Sequence, residues 1–520
     1  MRKFLMGSAA LAAVVLPTGT ANAATLFKNV IIMIADGAGY NMVDAARLYG
    51  GPLAVDNPLF RRSAISTFPL RTGVTPLPGA AGLAQDPNTV YNSASNWNTT
   101  PVDGAVNGYP RGFEGYEWNR RNAPDSANTI VSLVTGEKTY NNAVNVDGNG
   151  MPLLTLAEVA HGQGKATGVV STVQFSDATP AAGGGAHNVS RANRQEIANE
   201  MFGAGVLDVI GGAGNPDFDN NGVARTVPNY SWISPVLWND LKAGTNLSGF
   251  NGQGWTLLQN RAEIAAIANG TASAPEKLAM ISRAFDGTQQ YRGAGLTSGT
   301  EDPFAIPLVD AQPTLSELSL AALARLGTDT DGMYLLSEQG GVDRAMHANN
   351  LGRAIEGYLE FDAAVRAVID YVNRADTAAT FDDTLLIVSA DHDHLLFGPD
   401  AATNPFQAVL ADGPDAGLLP EHRWFSGSHS NQLVPFFAMG AGADQLIGLA
   451  DQIDFFRDAQ GREFGRGAYT DQAEVGRFLL SNIGTAAVPE PATWAMMIAG
   501  AGFVGGAMRR RNHKASRIPA

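Results

Sequence analysis

The sequence predicts an α/β fold in which helices cover both faces of a doubly wound sheet. Five short apolar runs are typical of buried parallel strands: residues 30–35, 168–172, 333–337, 385–390 and 434–439. Helical patterns alternate with these runs, at residues 351–374 and from Ser126 to Val134. Such alternation favours a doubly wound α/β domain.

Polar side chains follow the first four of these runs. They are Asp36, then Asp177 and Thr179, then Glu338, and finally Asp391 and His392. Ligands of open α/β sheets bind beyond the carboxyl ends of the strands. Because four separate segments place acidic residues or histidine at such ends, we expect a binding site at that edge of the sheet.

Composition narrows the function further. The chain has 520 residues, 45% of them hydrophobic, a formal net charge of −15 and no cysteine. The absence of cysteine excludes thiolate zinc sites and cysteine nucleophiles. The acidic balance argues against nucleic-acid binding through a general basic surface. A binding site for an anionic substrate would therefore need strong local positive charge.

Residues 1–23 have the pattern of a signal peptide. Arg2 and Lys3 form a basic start, residues 4–17 are mostly apolar, and Ala21-Asn22-Ala23 fits a cleavage site. A short buried helix and a membrane anchor are the alternatives. We expect the protein to be exported.

Residues 488–520 have the pattern of a second targeting segment. Val488-Pro489-Glu490-Pro491 precedes an apolar run at 492–508, and Arg509-Arg510-Arg511 follows it. This order resembles the PEP-type C-terminal sorting signals of Gram-negative bacteria, which imply export to the periplasm or cell surface and transient membrane contact. An ordinary membrane anchor is the alternative. Residues 24–487 would then form the catalytic domain.

The segment at about 213–330 is less regular, and we interpret it as an insertion over the active-site face. Residues 217–222 imitate the front half of a calcium-binding loop, but Pro228 stands where the twelfth-position acidic ligand is needed. A solvated turn is the alternative interpretation.

Three histidines lie in settings that suit metal ligation. Asp343 and His347 are four residues apart and share a helical face, His392 adjoins Asp391, and His429 lies in a loop rich in glycine and serine. Nitrogen and carboxylate ligands without thiolate suit zinc at a catalytic site. Ser126 would begin a helix, where a serine is more often an N-cap than a nucleophile.

Four ordered motifs together resemble the alkaline phosphatase family, from about Asn29 to Gly442. The motifs are Asp125-Ser126-Ala127 with the segment 135–141, Asp177-Ala178-Thr179-Pro180-Ala181 with His187 and Arg191, Glu338 through His347, and Asp391-His392-Asp393-His394. The resemblance implies hydrolysis of small phosphate monoesters, two Zn²⁺ and one Mg²⁺ per chain, and a possible homodimer.

The resemblance also assigns roles. Ser126 would be the nucleophile, Arg191 would clamp the phosphate, and Asp125 would orient Arg191. The metal ligands would be Asp343, His347 and His429 for the first zinc, Asp36, Asp391 and His392 for the second, and Asp36, Thr179, Glu338 and (through water) Asp177 for magnesium.

Two departures from the family pattern concern the phosphate site. The stretch from Asp177 to Arg191 is one residue longer than in the best-known bacterial form and contains three glycines, which affects the reach of Arg191. Arg344, next to Asp343, could add a second phosphate contact or reach the neighbourhood of a magnesium-bound water. A phosphodiesterase of the same superfamily and a surface-anchored phosphate- or metal-binding protein are the alternative functions.

Overall fold

A large mixed β-sheet forms the centre of the protein in the computed structural model. The structure describes residues 26–483, except 246, 248–253, 378 and 414–415. Within those residues the strands are β1 (Asn29–Ala35), β2 (Arg61–Ser66), β3 (Pro101–Val106), β4 (Tyr109–Phe113), β5 (Ala166–Gln174), β6 (Val209–Ala213), β7 (Thr256–Leu258), β8 (Leu278–Ile281), β9 (Met333–Gln339), β10 (Thr384–Ser389), β11 (Asp393–Phe397), β12 (Arg423–Ser430), β13 (Val434–Gly440), β14 (Gln452–Arg457) and β15 (Glu463–Asp471).

Helices alternate with the strands along the chain. The α-helices of the same residues are α1 (Tyr40–Gly50), α2 (Ala80–Leu83), α3 (Ser93–Asn96), α4 (Glu114–Arg120), α5 (Ser126–Thr135), α6 (Leu156–Gly162), α7 (Ala178–Gly183), α8 (Arg194–Gly203), α9 (Pro235–Ala243), α10 (Arg261–Ala268), α11 (Leu315–Leu326), α12 (Gly341–His347), α13 (Leu351–Asn373), α14 (Ala443–Ile447) and α15 (Gln472–Asn482).

The described strands of the main sheet lie in the order β14-β15-β2-β13-β10-β1-β9-β5-β6-β8-β7. Its centre, β10-β1-β9-β5, is parallel throughout. Every residue of these four strands is buried, which explains their continuous apolar runs. Helices α1, α10, α11 and α13 form one packed group, and α5, α6, α7 and α15 form another. The doubly wound α/β prediction is confirmed.

One strand runs against the sequence prediction. The run at 434–439 forms β13 as predicted, but β13 pairs antiparallel with β10. The chain leaves the carboxyl end of β10, forms the β11–β12 hairpin there, and enters β13 from the same edge. A strand that starts at the carboxyl edge of its neighbour must run in the opposite direction. An apolar run indicates burial and carries no information on direction.

The segment at 213–330 contributes to the sheet as well as to the site. Strands β8 and β7 extend the parallel sheet beyond β6. They have only four and three residues, so they leave a weak periodic signal. The prediction of a less regular insertion therefore describes only part of this segment.

The calcium-like loop is a hydrogen-bonded turn. The Asp219 carboxylate accepts backbone N–H groups of Asn221 and Val223, at 2.8 and 2.9 Å. Asp217 accepts the Trp238 indole N–H at 2.8 Å and pairs with Lys242. These contacts favour the turn interpretation over a calcium site.

Both predicted targeting segments lie outside the described residues. Across residues 26–483, apart from the gaps given above, no helix is both long enough and apolar enough to cross a membrane.

Candidate active site

The carboxyl edge of the central sheet gathers the predicted acidic residues. Asp36 follows β1, Glu338 lies near the end of β9, and Asp391 lies two residues beyond β10. Gly37 has a φ of 76°, and its N–H donates to Asp391 Oδ1 at 3.0 Å. A side chain at position 37 would need a left-handed backbone and would meet His394 at 3.0 Å. Glycine here therefore lets two strand ends approach each other.

The first group of candidate metal ligands consists of Asp343, His347, His394 and His429. Helix α12 supplies Asp343 and His347, β11 supplies His394, and β12 supplies His429. One potential ligand atom from each lies within 4.8 Å of the others. The three imidazole Nε2 atoms lie 2.9 Å (His394), 3.2 Å (His429) and 3.3 Å (His347) from Asp343 Oδ1.

The ring orientations in this group suit a cation. His347 Nδ1 lies 2.9 Å from the Gly427 carbonyl, and His429 Nδ1 lies 2.8 Å from the Pro124 carbonyl. Because carbonyls only accept hydrogen bonds, each Nδ1 is the donor, and in the neutral ring each Nε2 carries a lone pair. These two Nε2 atoms are 2.9 Å apart. A metal ion between them would replace lone-pair repulsion with ligation.

Histidines also control the charge of Asp343. Burial alone would raise the pKa of this carboxyl, but His347, His394 and His429 outweigh burial and hold it well below its ordinary value. Asp343 is therefore an anion in the first group.

The second group consists of Asp36, Asp391 and His392, all buried. Asp36 Oδ1 and Asp391 Oδ2 each lie 3.3 Å from His392 Nε2, and neither oxygen has a hydrogen-bond partner in the described part of the chain. Burial raises the pKa of Asp391 to about 6. Burial and the charges of Asp391, Asp343 and Glu338 raise the pKa of Asp36 well above its ordinary value. Two crowded carboxyls that each present one oxygen without a donor fit a bound cation.

Thr179 and Glu338 lie beside the second group. Thr179 Oγ1 is buried and has no hydrogen-bond partner among residues 26–483 that the structure describes. Burial raises the pKa of Glu338 to about 7, although a hydrogen bond from the Ser171 hydroxyl acts in the opposite direction. A hydroxyl and a carboxyl with spare acceptor capacity suit a hard cation such as Mg²⁺.

Ser126 is the first residue of α5. The Asp125 side chain caps this helix by accepting the Asn128 N–H at 3.1 Å, so Ser126 does not fill the N-cap position. Ser126 is 3% exposed, and its Oγ lies 3.2 Å from His392 Nε2. The hydroxyl thus lies between a helix N-terminus and the second group of ligands.

Two arginines lie beside the serine and share one carboxylate. Arg191 donates to Asp125 Oδ2 at 3.2 Å and to Asp177 Oδ1 at 2.9 Å, and Arg344 donates to the other Asp177 oxygen. Burial would raise the pKa of Asp177, but the two guanidinium groups lower it to about 2. The longer glycine-containing loop therefore still brings Arg191 to Asp125, beside Ser126. Arg344 contacts Asp177.

The serine, the two arginines and part of the first group line one cleft with a volume of about 540 Å³. Ser126, Arg191, Arg344, His347 and His429 are among its lining residues. The segment at 213–330 supplies the remaining wall of the cleft, which includes Trp232, Phe285 and Tyr291.

Two parts of this arrangement were not predicted from the sequence. The aromatic wall has no local signal, because its members are far apart in an irregular segment. His394 did have a signal, because His392 and His394 are two residues apart at the start of a strand and alternate residues of a strand face the same side. All predicted site residues belong to the connected cluster described above.

Comparisons with known proteins agree with this geometry. A family model described as alkaline phosphatase matches residues 112–411, which is more than half of the chain. Alkaline phosphatase 4 of Bacillus subtilis is 28% identical over 313 residues, covering 58% of this chain and 57% of that protein. Alkaline phosphatase H of Pseudomonas aeruginosa is 27% identical over 355 residues, covering 64% and 71%. The match thus spans just over half the length of the Bacillus relative.

A solved structure shares the fold. The cold-active alkaline phosphatase of a psychrophilic Shewanella species aligns with a TM-score of 0.57 at 20% identity, covering 88% of this chain and all of that one. The protein is thus of the α/β class, with Asp and His side chains clustered at the carboxyl edge of its sheet. The chain belongs to the alkaline phosphatase family. Residues 487–511 also match the PEP-CTERM protein-sorting motif.

Proposed function

We propose that this protein hydrolyses phosphate monoesters, with Ser126 as the nucleophile. The observation that carries the proposal is the position of the Ser126 hydroxyl. It lies at the N-terminus of α5, 3.2 Å from His392, in the cleft that Arg191 also lines. A helix N-terminus and a guanidinium fork favour a bound phosphate.

The residues present suit two zinc ions and one magnesium ion. Asp343, His347 and His429 would hold the first zinc. His394, whose Nε2 lies 2.9 Å from Asp343 Oδ1, would position Asp343. Asp36, Asp391 and His392 would hold the second, and Asp36, Thr179 and Glu338 the magnesium. Bound metals would lower the pKa of the serine hydroxyl and stabilise charge on the attacking and leaving oxygens. The unpartnered oxygens of Asp36, Asp391 and Thr179 support this assignment.

Ser126 would accept a phosphoryl group from the substrate and then transfer it to water. Its oxygen attacks phosphorus as the bond from phosphorus to the substrate alcohol breaks, which releases the alcohol and leaves phosphoserine. Water then attacks phosphorus, the serine oxygen leaves, and inorganic phosphate is released. Both displacements depend chiefly on positioning and electrostatic stabilisation.

Arg191 would hold two phosphate oxygens during these steps. Asp125 and Asp177 grip its guanidinium on one side, so the group is fixed in place before a ligand arrives. Arg344, held by the same Asp177, adds positive charge to the cleft. Together with the bound metals, this local charge would offset the repulsion expected from an acidic protein.

Two other functions remain as alternatives. A phosphodiesterase of the superfamily would not need the group formed by Thr179 and Glu338. A protein that only captures phosphate or metal would not need Ser126. The sorting motif supports export to the periplasm or cell surface of a Gram-negative bacterium, and the family resemblance suggests a homodimer.

Trapping the phosphorylated serine tests the proposal. We expect a ³²P-labelled phosphomonoester at mildly acidic pH to label Ser126, and S126A to lose the label and most of the turnover while keeping its metals. S132A is a matched control, because Ser132 lies on the same helix and, among the described residues, its hydroxyl hydrogen-bonds only to the Asn128 carbonyl. Turnover at the parent rate in S126A would contradict the mechanism.

A further inference from the structure

Arg194 is a third arginine in the active-site cleft, and it has no anionic partner in the part of the chain that the structure describes. Arg194 and Trp232 both line the cleft, and the guanidinium carbon lies 3.9 Å from the Trp232 ring centroid. Among the described residues the Arg194 side chain makes no hydrogen bond or ion pair. Carboxylates occupy Arg191 and Arg344. Arg194 is thus the cleft arginine whose donors stay free.

The local fold does not account for Arg194. It is the first residue of α8, where the helix dipole disfavours a positive side chain. Its side chain is solvent-exposed, whereas Trp232 is only 5% exposed beneath it. The cation–π contact holds the guanidinium against the indole ring and leaves its N–H groups available to a ligand.

The cleft extends beyond the phosphate that Ser126 would attack. A volume of about 540 Å³ is in the range of sites that hold a whole small molecule. Asp286 is a carboxylate on the same wall, but its two oxygens accept hydrogen bonds from Gln174 and Asn220, at 3.3 and 2.9 Å. Each oxygen of Asp286 is therefore hydrogen-bonded to a side-chain amide.

We propose that Arg194, held against the Trp232 ring, binds a second anionic group on the alcohol portion of the substrate. The preferred substrates would then be phosphate monoesters that carry a further phosphate or carboxylate. This inference rests on the proposed function for the position of the first phosphate, and Arg194 acts in specificity.

Binding of non-hydrolysable analogues tests the inference separately from turnover. Calorimetry on the metal-loaded protein would compare alkylphosphonates with α,ω-alkanediphosphonates and ω-carboxyalkylphosphonates of three to six carbons. At the best chain length we expect the second anionic group to tighten binding roughly fivefold, the scale of a solvent-exposed charge pair. The two dianionic series distinguish a preference for phosphate from one for carboxylate.

Two variants decide the result. R194Q should lose the advantage of the dianionic ligands. R225Q should keep it, because Arg225 stacks on Phe285 of the same wall at 4.7 Å but does not line the cleft. An equal advantage in R194Q and the parent at every chain length would overturn the inference. Absence of monoester turnover would instead overturn the proposed function. The calorimetric comparison would still test Arg194, because it does not require turnover.

Discussion

Replacing Arg191 tests the phosphate clamp most directly. Its side chain is 22% exposed and donates one N–H each to Asp125 and Asp177. In R191A the metal ligands remain, so activity should fall without disappearing. A charge-assisted or oxyanion contact contributes about 1.5–4 kcal/mol to transition-state binding. Since each 1.36 kcal/mol is tenfold in rate, kcat/KM should fall roughly ten- to a thousandfold.

The assay should separate the clamp from other effects. Steady-state hydrolysis of 4-nitrophenyl phosphate gives kcat/KM, inhibition by inorganic phosphate reports ground-state binding, and elemental analysis checks that metals are retained. R191K keeps the charge but loses the planar fork, so we expect an intermediate loss. An unchanged kcat/KM in R191A with full metal content would refute the reasoning, because it would show that the guanidinium does not contact the reacting phosphate.

The remaining predictions concern metals and processing. The mature protein should contain about two Zn²⁺ and one Mg²⁺ per chain, and chelation should abolish activity and lower the melting temperature; full activity after verified metal removal would contradict this. Metal affinity should fall from pH 8 to pH 6, because Glu338 and Asp391, with pKa values raised to about 7 and about 6, must lose protons before they ligate. Protonation of Glu338 alone predicts roughly tenfold weaker Mg²⁺ binding at pH 6, and equal calorimetric affinities would count against the magnesium assignment. Intact mass from the native host should show a start near Ala24 and loss of residues 509–520, whereas a full-length C-terminus would favour a membrane anchor.

The sequence by itself determined the buried strands and the residues at their carboxyl ends. Continuous apolar runs report burial on both faces, and Asp36 and Asp391 follow such runs directly. The i,i+4 spacing of Asp343 and His347 likewise predicted that they share one helical face. Strand burial and a shared helical face are local properties, so the periodicity and spacing of nearby residues are enough to predict them.

Only the tertiary structure decided how these pieces meet. The antiparallel direction of β13 follows from the edge at which the chain re-enters the sheet. The contacts of Arg191 with Asp125 and Asp177 depend on the path of a glycine-containing loop, and the Trp232 wall depends on an irregular segment folding back over the cleft. Such arrangements join residues far apart in the chain, so their geometry is set by packing of the whole sheet and is absent from any local pattern.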